Sequence, residues 1–184
     1  MTLPFPNVEF QPFLTEIASL KPDAVFVFFA GAGAAKFVSD YAAAGLKSSI
    51  PLYGPGFLTD GNLAARGGAG EGLLTTLHYA DGLTNAKDAA FRTKYAAAYK
   101  MQPDVYAVQG YDAAQMYEAG QKAAGGDPAK QEEVIKGRAS ATIDSPRGPF
   151  TLSKAHNPVQ DIYMREVKGN ENVVVEVVSK ALAD

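Results

Sequence analysis

The sequence predicts an α/β fold in which a parallel sheet is covered on both faces by helices. Strand-length apolar runs alternate with segments of helical periodicity in the first half of the 184 residues, and this alternation is typical of parallel sheets. Glycine-rich turns follow the apolar runs, and no internal repeat or heptad array interrupts the pattern. Ligands of such sheets bind beyond the carboxyl ends of the strands, so a binding site is expected at these turns.

The first predicted elements are a helix, a strand and a second helix. Apolar residues at helical spacing predict a helix over residues 10–20, which ends at Lys21-Pro22-Asp23. A buried strand is predicted over residues 24–29 and a helix over residues 34–44. Gly45 stands where a left-handed residue would end that helix.

Two further strands are predicted, at residues 50–53 and 72–80, with a turn-rich loop over residues 54–61 between them. Because parallel strands end at the same edge of a sheet, three loops are expected to converge there. These loops are Gly31 to Gly33, Gly54 to Phe57, and the segment after Tyr79.

The rest of the chain predicts helices, then an extended segment and a terminal hairpin. A boundary between two packing units is expected near residues 101–104, where Gln102-Pro103-Asp104 separates two helices. The predicted elements are helices over residues 85–100 and 106–124, a third helix opening at Asp127-Pro128, an extended segment over residues 141–152, and hairpin strands over residues 163–168 and 173–178.

Charge and composition argue against several classes of partner. The formal net charge is −3 with scattered lysines and arginines, whereas nucleic-acid binding needs a concentrated basic face. The longest apolar run is far shorter than the roughly 20 residues that cross a bilayer. The sequence has no cysteine, and therefore no disulfide or cysteine metal site. Its amino terminus shows no signal-peptide pattern, so the chain as written is expected in the cytoplasm.

Residues 30–35, Ala-Gly-Ala-Gly-Ala-Ala, are the first candidate binding segment. Small residues at the start of a helix leave backbone N–H groups accessible to an anion. The same residues also suit a simple tight turn between strand and helix. A dinucleotide fingerprint is not predicted, because Lys36 stands where the third glycine belongs and no acidic residue follows in the expected place.

Several isolated polar residues favour structural roles. His78 and His156 are distant in sequence and have no carboxylate at metal-binding spacing, so no metal site is predicted. Arg147 lies in the turn Ser145-Pro-Arg-Gly148 and is interpreted as structural. For Asp112 two roles stay open, a cap or ion pair within the fold and a hydrogen bond to a ligand.

An ordered set of segments extends over nearly the whole chain. They are Lys21-Pro-Asp-Ala-Val-Phe-Val-Phe28, Ala42-Ala-Ala-Gly-Leu46, Ile50-Pro-Leu-Tyr-Gly54, Glu71-Gly72, Ala90-Phe-Arg-Thr-Lys-Tyr95, Asp104-Val-Tyr-Ala-Val-Gln-Gly-Tyr-Asp112 and Ser145-Pro-Arg-Gly148. No tetrapeptide is diagnostic by itself. Together the segments resemble the second half of the type I periplasmic solute-binding proteins of the branched-chain amino acid ABC transporter family.

The resemblance implies a Rossmann-like three-layer sandwich that is part of a two-lobed protein, which closes on a small ligand and delivers it to an ABC permease. It implies a second-lobe segment over residues 1–104, a helical segment that crosses to the first lobe over residues 105–155, and a hairpin that returns over residues 156–184. The complete protein is expected in the periplasm, with this chain as a fragment of it.

A fragment of this kind is expected to expose apolar surface on its orphaned helices. Exposed patches promote association, so the truncated chain is expected to form a homodimer. The side chains that suggest this patch are Tyr111, Met116 and Tyr117.

The ligand class follows from one departure from the family pattern. Amino-acid binders of this family look as if they place a carboxylate in the loop that here runs Gly54-Pro-Gly-Phe57, against the ammonium group of the ligand. Gly56 takes that place here, so an ammonium would lose its charge partner, which costs several kcal/mol on typical magnitudes. The resemblance therefore implies an aromatic acid of the benzoate or cinnamate kind, and a branched-chain amino acid is the alternative.

The implied ligand contacts lie on the loops that face the cleft. Backbone amides of Gly31, Ala32, Gly33 and Ala34 are expected to receive the carboxylate, and aromatic side chains to stack on the ring. The aromatic candidates are Tyr53, Phe57, Tyr79 and Tyr106, and Gly56 and Gln109 complete the predicted site.

A transporter-linked binding module without catalysis or cofactor is the leading functional hypothesis. A ligand-sensing receptor or regulator of the same fold is the second, and an open α/β enzyme is the third. An enzyme would need a titratable group at the convergent loops, where Asp60, Glu71 and Asp81 are the nearest candidates. None of them is paired with a base in a recognisable motif.

Overall fold

The computed structural model of the protein describes residues 2–3 and 8–183. The chain forms two compact units. Unit 1 comprises residues 1–77 and 164–176, and unit 2 comprises residues 78–163 and 177–184. Most of the amino-terminal segment on which the signal-peptide expectation rests lies outside the described residues.

Unit 1 is built around a parallel sheet. Strand β2 lies between β1 and β3, and Val25 is in register with Leu52 while Tyr53 is in register with Leu74. The elements are α1 (Gln11–Leu20), β1 (Val25–Phe26), α2 (Gly31–Ala43), β2 (Leu52–Pro55), α3 (Leu63–Arg66) and β3 (Leu74–Leu77), with single 3-10 turns at Leu46–Ser48, Gly56–Leu58 and Gly67–Gly70.

Helices α1 and α2 contribute apolar faces to the core of unit 1. Phe10 packs edge-on against Phe37, with their ring centroids 5.1 Å apart, and Leu14 lies in the same cluster of buried residues. The hydroxyl of buried Tyr41 donates to the Ile50 carbonyl at 3.0 Å. A buried tyrosine hydroxyl needs such a partner, and this bond fixes α2 to the start of β2.

The opposite face of the unit 1 sheet is exposed, so the prediction that helices cover both faces is wrong for the described residues of this unit. Side chains alternate along a strand, so Val25 and Val27 pack on the core while Phe26 and Phe28 point away from it. Phe26 is 74% exposed and Phe28 is 68% exposed. Tyr53 on β2 is in register with Phe26 on β1 and extends this apolar surface.

Unit 2 consists of helices α4 (Ala86–Tyr99), α5 (Val105–Ala123) and α6 (Gln131–Ala139), with the short strand β4 (Thr151–Leu152) paired antiparallel to the start of β5. Asn85 caps α4 by accepting from the Asp88 amide, and Asp104 caps α5 by accepting from the Ala107 amide. Such caps satisfy N–H groups that a helix start leaves without partners. Each helix therefore begins one residue after its cap.

Close contact between α5 and α6 depends on glycine. A Cβ atom at Gly137 would lie 2.5 Å from the Ala123 Cβ, and one at Gly120 would lie 3.0 Å from the Val134 carbonyl oxygen. The two backbones approach each other because neither position carries a side chain. The long strands β5 (Pro158–Lys168) and β6 (Glu171–Leu182) pair with each other and contribute residues to both units.

The predicted α/β class with a parallel sheet is confirmed. Some boundaries differ: α2 begins at Gly31 rather than Ala34, and β3 covers Leu74–Leu77 only. The predicted third helix is present as α6, but its predicted start at Asp127-Pro128 is wrong, because the Asp127 carboxylate accepts from the Ala129 amide and closes a turn there. Side-chain turns of this kind compete with helix formation, and α6 starts at Gln131.

Leu14→Ala is expected to destabilise the protein by about 2–5 kcal/mol, because it removes a buried side chain and leaves a cavity. Leu20→Ala on the same helix removes a side chain that is 67% exposed, against 1% for Leu14, and should change stability by less than about 0.5 kcal/mol. Urea unfolding of the two variants checks this. Equal losses would show that α1 does not pack as described.

Candidate ligand-binding site

Helix α2 begins without a capping side chain. Ala30 occupies the N-cap position in extended conformation, and no side-chain cap bond to the helix start is found among the described residues. Gly31 has a φ of 55°, a left-handed conformation that glycine adopts without strain. Gly31 and Ala32 are exposed, Gly33 is half-buried and Ala34 is buried. The start of α2 is thus able to offer backbone donors to an anion.

Gly33 differs from the glycines of the neighbouring loop. A Cβ atom at Gly33 would meet no atom within 4 Å, whereas a Cβ at Gly54 would lie 2.8 Å from the Val27 carbonyl oxygen. A Cβ at Gly56 would lie 2.6 Å from the Leu77 Cβ and would also overlap the Arg165 guanidinium. Packing within unit 1 therefore requires glycine at 54 and 56, but not at 33.

The start of α2 and the loop after β2 are held together. Asn62 donates from Nδ2 to the Gly31 carbonyl at 3.1 Å. The rings of Phe28 and Phe57 meet edge-on with centroids 6.2 Å apart. Two of the three loops expected to converge are therefore neighbours in unit 1.

Another predicted contact residue of unit 1, Tyr53, lies away from these two loops. Tyr53 stands on the exposed face of the sheet with Phe26, where the two side chains line a shallow groove together with Leu74 and Met164. The Leu52 side chain before it points into the core on the side of α1 and α2.

Two buried arginines hold the loop that carries Phe57. Arg66 donates to the carbonyl oxygens of Leu58 at 3.1 Å and Thr59 at 2.9 Å, and burial lowers the pKa of Arg66 to about 10. Arg165 donates to the Gly56 carbonyl at 3.2 Å. The Asp60 carboxylate forms an ion pair with Arg165, in which Oδ2 lies 2.7 Å from Nη2.

In unit 2 the predicted residues Tyr106 and Gln109 lie one turn apart at the start of α5. Tyr106 is 44% exposed, and Gln109 is half-buried with its Nε2 atom 3.4 Å from His78 Nε2. His78 was not among the predicted site residues. Its contact with Gln109 spans 31 residues of sequence, so no local pattern indicates it.

Tyr79 is buried in unit 2. Its hydroxyl donates to Asp88 Oδ1 at 3.0 Å, and Arg92 donates to Asp81 at 3.2 Å nearby. Burial raises the pKa of Asp88 to about 6 and raises the pKa of Tyr79 as well. The Tyr79 side chain has no exposed surface, so this conformation gives a ligand no access to it.

Asp112 pairs within the fold. Its Oδ2 atom accepts from the Ser145 hydroxyl at 2.9 Å and lies 3.0 Å from Arg147 Nε. Arg147 also donates to Gln160 and stacks 4.0 Å from the centroid of the Phe150 ring. Burial raises the pKa of Asp112 and lowers the pKa of Arg147. Arg147 therefore has the structural role that was predicted for it.

A cavity of about 240 Å³ lies beside this cluster within unit 2. His78, Arg147, Gln160, Asp161 and Tyr163 are among the side chains that line it. Its wall combines a cation with a carboxylate, so it shows no net preference for an anion. In the described part of the chain, no group of three or more His, Cys, Asp or Glu side chains is placed to hold a metal ion. No helix among those residues is long and apolar enough to cross a membrane.

Comparison with protein families shows to which family the chain belongs. Residues 1–172 match the sequence profile of the periplasmic binding protein family. The chain belongs to this family. Within it, the protein is of the type I class to which the branched-chain amino acid binders belong, as the sequence resemblance predicts. A search of curated protein sequences returned no match.

Solved structures support the same assignment. A solute-binding protein of an ABC transporter from R. palustris, in complex with benzoate, is 57% identical with a TM-score of 0.96, and the match covers 100% of this chain and 51% of that one. A solute-binding protein from Rhodopseudomonas palustris BisB5, in complex with 3,4-dihydroxybenzoic acid, is 31% identical with a TM-score of 0.88, covering 99% and 52%.

A leucine-binding protein from Thermotoga maritima shares the fold, with 20% identity, a TM-score of 0.78 and coverage of 93% of this chain and 49% of that one. The chain spans about half the length of these solved structures. The relatives are solute-binding proteins rather than enzymes.

Protonation of Asp88 should make the stability of the protein depend on pH. Its folded pKa of about 6 exceeds the ordinary value of 3.8, so its stabilising contribution is full below about pH 4 and is lost as the pH rises through about 6. At about 1.4 kcal/mol per pKa unit, the full effect is about 3 kcal/mol, of which roughly 2 kcal/mol should be lost relative to Asp88→Asn between pH 4 and pH 7.

Urea unfolding at four pH values checks this. Asp144→Asn is the control, because Asp144 is an exposed partner of Lys87 and its removal should leave the pH profile of the wild type unchanged. Parallel curves for wild type and Asp88→Asn would contradict the assignment.

Proposed function

We propose that the protein is the substrate-binding component, or a fragment of the component, of an ABC transporter and binds a small aromatic carboxylate such as a benzoate derivative. The observation that carries the proposal is the uncapped start of α2, which lies beside the Phe57 loop. A helix start offers N–H donors to a carboxylate, and an adjacent aromatic side chain offers a surface to a ring.

Gly33 is the best-supported anion contact. Unit 1 has no packing reason for glycine there, since a Cβ atom would meet nothing within 4 Å. A small residue at this position lets a ligand approach the helix amides of Gly31, Ala32 and Gly33 closely. Ala34 is left out of the proposed contacts, because its amide donates to the Ala30 carbonyl at 3.3 Å and the residue is buried. Gly56 contributes differently, because its missing side chain leaves room for Arg165.

An aromatic contact is proposed from Phe57 in unit 1. Tyr106 and Gln109 belong to unit 2 and stay predictions from the sequence. Phe57 is half-buried, so it retains surface for a ligand. Contact between one such side chain and a ligand ring contributes about 0.5–1.5 kcal/mol beyond the burial of area. Tyr79 is left out of the proposed contacts because it is buried.

The benzoate complex of the R. palustris protein supports this ligand class. The charges near the Phe57 loop also support an anionic ligand. Two cationic side chains, Arg66 and Arg165, lie behind this loop, and one carboxylate, that of Asp60, interacts with both. A ligand ammonium would meet no carboxylate from position 56, which is glycine. An amino acid is therefore a poorer ligand than an aromatic acid.

The wider role follows from the family. We propose that the complete protein works in the periplasm, has no catalytic activity and delivers its ligand to a membrane permease after two lobes close on it. The segments 1–104, 105–155 and 156–184 are proposed as its second-lobe, crossing and returning parts. For the 184-residue chain alone we propose self-association through exposed apolar side chains, among them Tyr117 and Phe26.

A hybrid protein tests the ligand class. In it, this chain replaces the matching half of the R. palustris benzoate-binding protein, to which it is 57% identical. Benzoate should raise the thermal unfolding midpoint, since a ligand at about 100 times its Kd stabilises by about 2.7 kcal/mol. Leucine should give no shift. The absence of a shift with benzoate would overturn the proposal, and a shift with leucine would favour the amino-acid alternative.

Gly33→Leu tests the proposed anion contact in the same hybrid. The side chain enters open space, so folding should be retained, and replacing glycine within a helix should not lower stability. Calorimetry should show benzoate binding at least about tenfold weaker, a loss of about 1.4 kcal/mol. Ala43→Leu, exposed at the far end of the same helix, is the control and should bind as the wild type does. Unchanged affinity in Gly33→Leu would remove the helix start from the site.

A further inference from the structure

We propose that Arg165 is a positioning residue for ligand binding, because its guanidinium occupies the space beside Gly56 and fixes the loop that carries Phe57. The proposal rests on the proposed function above and concerns unit 1 only. Arg165 makes no direct contact with a ligand in this scheme, since it has no exposed surface.

The contacts of Arg165 converge on the loop. Its Nη2 atom donates to the Gly56 carbonyl and the Thr59 hydroxyl, each at 3.2 Å, and lies 2.7 Å from Asp60 Oδ2. The same guanidinium reaches the Thr75 hydroxyl on β3 from Nε at 3.3 Å and from Nη2 at 3.1 Å. One side chain thus ties both ends of the loop to the adjacent strand.

The Gly56 carbonyl is the centre of this arrangement. Besides Arg165, the amides of Thr59 and Asp60 donate to it, each at 2.9 Å, and the Thr59 hydroxyl donates at 3.2 Å. These bonds close the 3-10 turn Gly56–Leu58, whose central residue is Phe57. The orientation of the Phe57 ring therefore depends on the group that anchors this carbonyl.

Glycine at 56 and arginine at 165 require each other. A Cβ atom at position 56 would overlap Arg165 Nη2, so a larger residue there would displace the guanidinium. A shorter side chain at 165 would leave Asp60, which is almost fully buried, with a weakened ion pair. Loss of one partner of a buried ion pair is costly, so the pair of residues is expected to act as one unit.

Positioning of this kind acts on affinity through preorganisation. A site whose supporting side chains hold the contacting residues in place binds more tightly than one that must order on binding. Lysine at 165 retains the charge beside Asp60 but lacks the planar fork that donates to several acceptors at once. Arg165→Lys should therefore loosen the loop without abolishing the ion pair.

Amide hydrogen exchange on the 184-residue chain is the first measurement. In Arg165→Lys the Thr59 and Asp60 amides should exchange at least about tenfold faster than in the wild type, as expected for local opening. The Ser49 and Ile50 amides serve as internal controls, because they close a similar turn at the Leu46 carbonyl and should change by less than about twofold. Equal acceleration at all four amides would overturn the proposal.

Benzoate affinity of the hybrid is the second measurement. Benzoate is titrated well below the unfolding temperature, and Arg165→Lys should raise the Kd about tenfold. The control is Leu14→Ala, a destabilised core variant, whose Kd should stay within about twofold of the wild-type value. Equal Kd values for the two variants would show that Arg165 is merely structural. The double variant Asp60→Asn, Arg165→Met removes both charges and, if Arg165→Lys fails to fold, takes its place in both measurements.

The two measurements separate the two proposals. If the wild-type hybrid does not bind benzoate, the proposed function is wrong and the effect on affinity falls with it. The exchange rates of Thr59 and Asp60 still decide whether Arg165 holds the loop. Slow exchange in Arg165→Lys, equal to that of the wild type, would refute the holding role even in a hybrid that binds benzoate.

Discussion

The buried ion pair between Arg165 and Asp60 is the interaction on which the loop at the candidate site depends. Arg165 comes from β5, near the end of the chain, and Asp60 from the loop after β2, more than one hundred residues earlier. A buried guanidinium is tolerated only when its donors are matched by acceptors, and here the acceptors are Asp60, Thr75 and the Gly56 carbonyl. The cost of burying this charge is thus offset by contacts that also define the shape of the loop.

The glycines of the two candidate loops serve different physical purposes. Gly54 and Gly56 are small because backbone and side-chain atoms of unit 1 occupy the space beside them. Gly31 is glycine because its φ is positive, and Gly33 has neither reason. Position 33 thus has open space beside it at a helix start where no side-chain cap bond is found among the described residues. A site for a carboxylate needs such space next to backbone N–H groups.

Unit 2 contains an ion pair and two hydrogen bonds that hold its helices to the following segment. Ser145 and Arg147 both contact Asp112 of α5, and Asn85 at the start of α4 donates to the Pro146 carbonyl at 2.9 Å. The turn Ser145-Pro-Arg-Gly148 is therefore an anchor for two helices. Tyr79, Asp88 and Arg92 form a second polar cluster, in which burial raises the pKa of the Asp88 carboxyl.

The sequence alone determined the fold class, most elements and the family, because periodicity, glycine turns and ordered motifs are local signals. Alternation along β5 also puts Arg165 on the same side as Tyr163 and Val167, both buried. Only the tertiary structure showed what that arginine contacts, and it gave the reason for glycine at 56. The contacts of Asn62 with Gly31 and of His78 with Gln109 are likewise long-range. Such contacts follow from packing between distant segments, which no local pattern records, so the site could be predicted as loops but not as a set of interactions.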